Sequence, residues 1–179
     1  MLEEESDMED AAKIEEDLHE EQDRAGKYLT FDLANEQYGI GILQVREIIG
    51  LMEITAVPHT PAYIKGVINL RGSVIPVLDL RIKFNMEPAE YNERTCIIVV
   101  EVQGESATLL VGMIVDSVSE VLNIVGKEIE PPPTFGGDEV ETENFLGMAK
   151  IKGDVKILLN VDNVIGKSGM GQFETGASA

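Results

Sequence analysis

Positive charge is scarce in this sequence. Fourteen Lys and Arg stand against 33 Asp and Glu in 179 residues, a formal net charge of −19. A protein that grips phosphates concentrates cations to displace counterions, so nucleic acid and anionic lipid are excluded as natural partners. Long apolar runs are missing too. No stretch approaches the roughly 20 residues that cross a bilayer, and the N-terminus is acidic where a secretory signal is basic. The expectation is a cytoplasmic protein with no direct membrane insertion. Cysteine is reduced to Cys96, in TCIIVV. It has no partner for an internal disulfide and reads as a small core hydrophobe. Histidine occurs twice, as His19 and His59, in no ligand spacing, so neither a metal nor a cofactor is expected. A phosphate-binding glycine loop, a dinucleotide fingerprint and a nucleophile elbow are all absent. With no catalytic residue to name, the chain reads as a binding or scaffolding protein and not an enzyme.

What is present divides the chain in three. Residues 1–25 hold twelve Asp and Glu against Lys13 and Arg24, with little to bury, so residues 1–26 are expected to form an acidic disordered tail. Residues 167–179 are expected to form a flexible C-terminal tail. Between them, 27–166 should fold. KYLTFDL alternates apolar and polar residues, NEQ offers a turn and YGIGI continues extended, which is a hairpin signal. LQVREIIG follows as a short helical turn or irregular strand. TCIIVVEV, ATLLVGMIV, FLGMAKIKG and VKILLNV are further short runs set apart by Gly, Asn, Asp or Glu. The class is mostly β. Pro131 to Pro133, with Gly136 and Gly137, mark an irregular connector.

The middle region also repeats itself. Residues 39–48, GIGILQVREI, align without gaps on 112–121, GMIVDSVSEV, placing Gly39 on Gly112, Val45 on Val118, Glu47 on Glu120 and Ile48 on Val121. Residues 66–80, GVINLRGSVIPVLDL, align on 147–161, GMAKIKGDVKILLNV, placing Arg71 on Lys152, Gly72 on Gly153, Val74 on Val155 and Asp79 on Asn160. Two blocks in the same order imply a duplication and two similar lobes. In each copy a cation and a glycine break two apolar runs, the pattern of a tight hairpin, and Asp79 and Asn160 stand where an Asx side chain caps a short helix. A symmetric carboxylate pair, the arrangement used by acid proteases, fails here because Asp79 is answered by Asn160.

QYGIGILQVREIIG, HTPAYIKGVINLRGSVIPVLDLRIKF and DSVSEVL together resemble the CheW family of bacterial chemotaxis coupling proteins, over nearly all of residues 27–165. The resemblance implies two SH3-like five-stranded β barrels with short helices, without settling whether each barrel is contiguous in sequence. It further implies a non-enzymatic adaptor that joins the cytoplasmic tip of methyl-accepting chemoreceptors to the regulatory domain of the histidine kinase CheA, at receptor arrays on the inner membrane. Receptors would dock between the lobes and the kinase on one barrel. By matching motif, the resemblance implies Glu47 and Arg71 as partner-binding residues, the first flanked by Val45 and Ile48, with Val118 and Val121 in the segment that resembles the receptor-facing part of the family. The acidic N-terminal extension departs from the family pattern. The apolar lobes alone would also suit a small-ligand-binding β-barrel protein.

Overall fold

The computed structural model describes residues 26–104, 107–131 and 144–166. The two tails and most of the Pro-Gly connector lie outside these residues. GKYLTFDL forms β1 (Gly26–Leu33) and EQYGIG forms β2 (Glu36–Gly41), antiparallel from Tyr28↔Gly41 to Leu33↔Glu36. Their turn is Ala34-Asn35, at φ 52° and 67°. Glu36 and Gln37, expected in the turn, already belong to β2. A two-residue loop with both φ values positive matches the twist of the flanking strands, and Asn tolerates that region better than Glu or Gln does.

The same device joins β4 (Ile64–Leu70) to β5 (Ser73–Asp79) through Arg71 and Gly72, at φ 51° and 88°. It recurs between β10 (Phe145–Ile151) and β11 (Asp154–Leu159) through Lys152 and Gly153, at φ 51° and 84°. LQVREIIG resolves into a 3-10 turn, Ile42–Gln44, followed by β3 (Val45–Gly50). The remaining strands are β6 (Cys96–Gln103), β7 (Thr108–Val115), β8 (Ser117–Ile124) and the two-residue β9 (Ile129–Glu130). Two short helices, α1 (Leu80–Lys83) and α2 (Val161–Gly166), follow β5 and β11. The Asx residues cap both. Asp79 Oδ1 accepts from the Arg81 and Ile82 amides at 2.9 and 3.4 Å, and Asn160 Oδ1 accepts from the Asn163 amide at 3.2 Å.

Two sheets result, ordered β8-β1-β2-β11-β10-β9 and β3-β6-β7-β5-β4. In each, the chain leaving one edge strand returns to the opposite edge and rolls the sheet into a barrel. β8 leads into β9, which pairs with β10 at Met148↔Glu130. β3 leads to Thr55, which bridges Val67 in β4. The first barrel thus has a sixth, two-residue strand where five were expected, and the second has a single bridge. The repeated glycines make this closure possible. A Cβ on Gly66 would lie 2.0 Å from the Thr55 carbonyl oxygen, and one on Gly147 would lie 2.5 Å from that of Glu130.

The registers reproduce the sequence repeat. Gly39 pairs with Leu158 in the parallel β2–β11 contact as Gly112 pairs with Val77 in β7–β5. The register shift between Leu29 and Phe31 on β1, opposite Val121 and Val118, has its mate in β3–β6 between Val45↔Val100 and Ile48↔Ile98. β1 therefore corresponds to β6, β2 to β7, β3 to β8, β4 to β10 and β5 to β11. The repeated unit is not the barrel. β1 and β2 close the first barrel with β8–β11, while β3–β5 close the second with β6 and β7. Only the second barrel is continuous in sequence, inserted between β2 and β8. The two blocks that align as 39–48 and 112–121 are the crossings from one barrel to the other.

β1 and β6 are buried on both faces. Tyr28 joins Ile124, Ile129, Ala149 and Leu158 inside the first barrel, and Ile97 and Val99 join Ile68, Ile75, Val77 and Ile114 inside the second. Leu29, Phe31 and Leu33 meet Ile98, Val100 and Val102 in a third core between the barrels. Phe31, Tyr38 and Phe84 stack across this junction at successive centroid distances of 5.9 and 6.2 Å, and Phe145 continues the row tilted on Phe84 at 6.5 Å. Phe31 is fully buried and Phe84 and Phe145 half buried; complete burial of a Phe or Leu side chain stabilises by roughly 1.5–3 kcal/mol. The barrel interiors are filled with side chains, which removes the ground for a small-ligand-binding barrel. Cys96 is only half buried, at the first position of β6, and its Sγ–H donates to the Arg94 carbonyl.

Candidate partner-binding surface

β3 and β8 are corresponding edge strands, one per barrel. On β3, Val45, Glu47 and Ile49 are half buried while Arg46, Ile48 and Gly50 face solvent. Val45 and its mate Val118 pack against the core between the barrels. Ile48 and its mate Val121 are 43% and 50% exposed, high values for apolar side chains in corresponding places. Five of the six residues singled out by sequence therefore fall on two corresponding edge strands, and the sixth, Arg71, in the β4–β5 turn. Val45, Glu47 and Arg71 come together in the second barrel, Ile48 lies on the outer face of the same strand, and Val118 and Val121 lie on the first barrel.

Glu47 and Arg71 meet because the second barrel closes. β3 and β4 are the two edges of its sheet, and the β4–β5 turn reaches across the seam. Arg71 donates from both terminal nitrogens to the two Glu47 oxygens, at 2.6 and 2.7 Å. This bidentate fork is the geometry that suits guanidinium and carboxylate best. The hydrogen bonds from Arg71 hold the Glu47 carboxyl below its ordinary value, partial desolvation opposing and the Arg71 charge assisting. Arg71 is held further into its charged form by the same bonds and by the Glu47 charge. The pair stands over a groove of 470 Å³ whose walls include Val45, Leu70, Ile75 and Leu110.

The corresponding mouth of the first barrel differs. Lys156 and Gln37 replace Ile75 and Leu110, and the Lys156 Nζ donates to Gln37 Oε1. Among the described residues Lys152 and Glu120 form no ion pair. The Glu120 strand is held by its backbone: Thr30, fully buried, donates its hydroxyl to the Glu120 carbonyl at 2.8 Å and accepts from the Glu120 amide at 3.1 Å. The corresponding residue on β6 is Val99, which has no hydroxyl.

Sequence reasoning missed three features. Val74 and Val155, corresponding residues just past the two hairpin turns, are 70% and 51% exposed; their match in the repeat was the available signal. Leu43, at the first crossing, is 94% exposed. Arg81 donates from Nε and a terminal nitrogen to Asp116 at 2.7 and 2.5 Å, a contact no local pattern reveals. Beside it, burial first, then the hydrogen bond to Asp79 and its charge, push the Tyr91 phenol well above its ordinary range. Among the described residues no cluster of three or more His, Cys, Asp or Glu could hold a metal ion, and no helix is long and apolar enough to cross a membrane.

A family model described as the CheW-like domain matches residues 27–168. The chain is 38% identical over 144 residues to the chemotaxis protein CheW of Klebsiella aerogenes, covering 80% of this chain and 84% of that one. It is 33% identical over 135 residues to the chemotaxis protein CheW of Bacillus subtilis, covering 75% and 81%. The solved structure of the scaffolding protein TtCheW from Thermoanaerobacter tengcongensis is similar at a TM-score of 0.70 and 36% identity, covering 80% of this chain and 97% of that one.

Proposed function

The chain belongs to the CheW-like domain family and is a coupling adaptor of bacterial chemotaxis, and from that premise we propose which proteins it couples and where. One partner is the regulatory domain of the histidine kinase CheA, the other the cytoplasmic tip of methyl-accepting chemoreceptors. The protein performs no catalysis; it works in the cytoplasm at receptor arrays and contacts its partners through Val45, Glu47, Ile48, Arg71, Val118 and Val121. Residues 27–166 are the working domain. The observation that carries the proposal is the pairing of Glu47 with Arg71 at the mouth of one barrel, with Ile48 exposed on the same strand and Val121 exposed at the corresponding place on the other barrel. Such a rim, polar at one point and apolar around it, is what a protein partner needs and a small ligand does not.

Titration calorimetry of the full chain against the kinase regulatory domain and against a receptor tip fragment tests this. Binding of both in the micromolar range or tighter is expected. No heat from either partner at tens of micromolar would reject these partners.

A further inference from the structure

The two crossings between the barrels correspond in the repeat and carry different chemistry. At the second, between β7 and β8, Asp116 is gripped from both sides. Arg81 of α1, which belongs to the second barrel, places its fork on both carboxylate oxygens. The Ala34 amide, in the β1–β2 turn of the first barrel, donates to Asp116 Oδ2 at 2.9 Å. The Asp116 amide donates to the Asp32 carbonyl at 3.1 Å and the Ser117 hydroxyl to Asp32 Oδ2 at 2.8 Å. Arg81 is itself anchored by a bond to the Glu87 carbonyl at 3.0 Å and by its place in a helix that Asp79 caps.

At the first crossing, between β2 and β3, the residue corresponding to Asp116 is Leu43, and the one corresponding to Arg81 is Asp162, whose Oδ1 accepts from the Gln103 amide at 3.0 Å. There, among the described residues, the chain passes between barrels with no ion pair. The crossing itself therefore does not require one, and the pair at Asp116 has another consequence. The hydrophobic driving force between the barrels is non-directional, whereas a bidentate fork fixes both distance and direction. We propose that Arg81 and Asp116 are a positioning pair that sets the angle between the two barrels and thereby holds their outer surfaces in the relation that a partner spanning both requires. The consequence for partners rests on the coupling function proposed above; the angle does not.

The test uses the full chain, free and with partners. Residual dipolar couplings of the wild type are expected to fit one alignment tensor for both barrels. In Arg81→Ala and Asp116→Asn the couplings of the two barrels should require separate tensors, with Arg81→Lys between these and wild type. Leu43→Ala, at the corresponding crossing, should keep a single tensor. A single tensor for all variants that fold would overturn the proposal, and Arg81→Lys, which retains the charge, keeps that outcome accessible if the others unfold. With partners, Arg81→Ala should weaken a receptor tip seated across both barrels by about tenfold or more and leave a kinase domain seated on one barrel within about twofold. Equal losses for both would mean the pair merely supports the fold. If the wild type binds neither partner, the coupling proposal fails while the tensors still decide the angle.

Discussion

Arg71 occupies a turn position that its own side chain does not favour, since a β-carbon at φ 51° is strained. Glycine would fit better there, so the guanidinium is present for what it bonds. Arg71→Gly should leave the melting temperature unchanged or raise it by about 2 °C, while binding of at least one partner falls by more than about tenfold. Thermal melts beside titration calorimetry check this, and a melt lowered by many degrees would make the Arg71–Glu47 pair a clasp of the barrel. Lys152→Ala, in the mate that forms no ion pair among the described residues, should change partner binding less. Asp116 gives a pH dependence of definite sign. Burial alone would raise its carboxyl, but the hydrogen bonds from Arg81 and the Ala34 amide and the Arg81 charge outweigh burial and leave it below its ordinary 3.8. A carboxyl lowered in the folded state contributes stability that is complete above its unfolded value and lost as pH falls through the folded one. Urea midpoints of wild type and Asp116→Asn should therefore differ at pH 7 and converge below about pH 3.8. A constant difference down to pH 2.5 would show that the charge of Asp116 contributes nothing.

At the scale of the element, hairpins, turns and caps were legible because each is encoded within a few residues. The cation-glycine pairs gave the two long hairpins, and Asp79 and Asn160 gave the helix caps. The first turn, expected on Asn35, Glu36 and Gln37, lies on Ala34 and Asn35, because the preference of Ala34-Asn35 for positive φ is weaker than that of a glycine turn. Closure of each barrel was not legible, since the returning strand is recognised only by the carbonyl that abuts Gly66 or Gly147. For the same reason Glu47 and Arg71 could be singled out separately by motif, while their contact depends on two sheet edges meeting. The Thr30 clip on the β8 edge is also long-range, and it carries a prediction. Thr30→Val preserves shape and copies the second barrel at Val99, but it strands the Glu120 carbonyl and amide. A loss of about 1–3 kcal/mol is expected in urea denaturation. An unchanged midpoint would mean that water replaces the hydroxyl without cost.

For the whole molecule, the duplication was visible in sequence and the assignment of strands to barrels was not. Residues 39–48 and 112–121 align so well because both are crossings, and a crossing read as part of a lobe conceals the exchange of hairpins between repeats. The interleaved chain has a physical consequence. Residues 45–115 contain every strand of the second barrel, yet alone they would expose Ile98, Val100, Val102, Val111, Met113 and Val115, which the intact chain buries against or beside the first barrel. An apolar face of this extent drives association, so sedimentation of the 45–115 fragment should show self-association, and a well-dispersed monomer would show that the barrels are energetically independent. Two mouths of different chemistry on one body held together by a common core suit a protein that joins two others. That joining is tested most directly by sedimenting the kinase with vesicles bearing receptor, with and without this chain. Kinase should pellet with the vesicles when the chain is present and stay in solution when it is absent; equal kinase in the pellet under both conditions would contradict the coupling function.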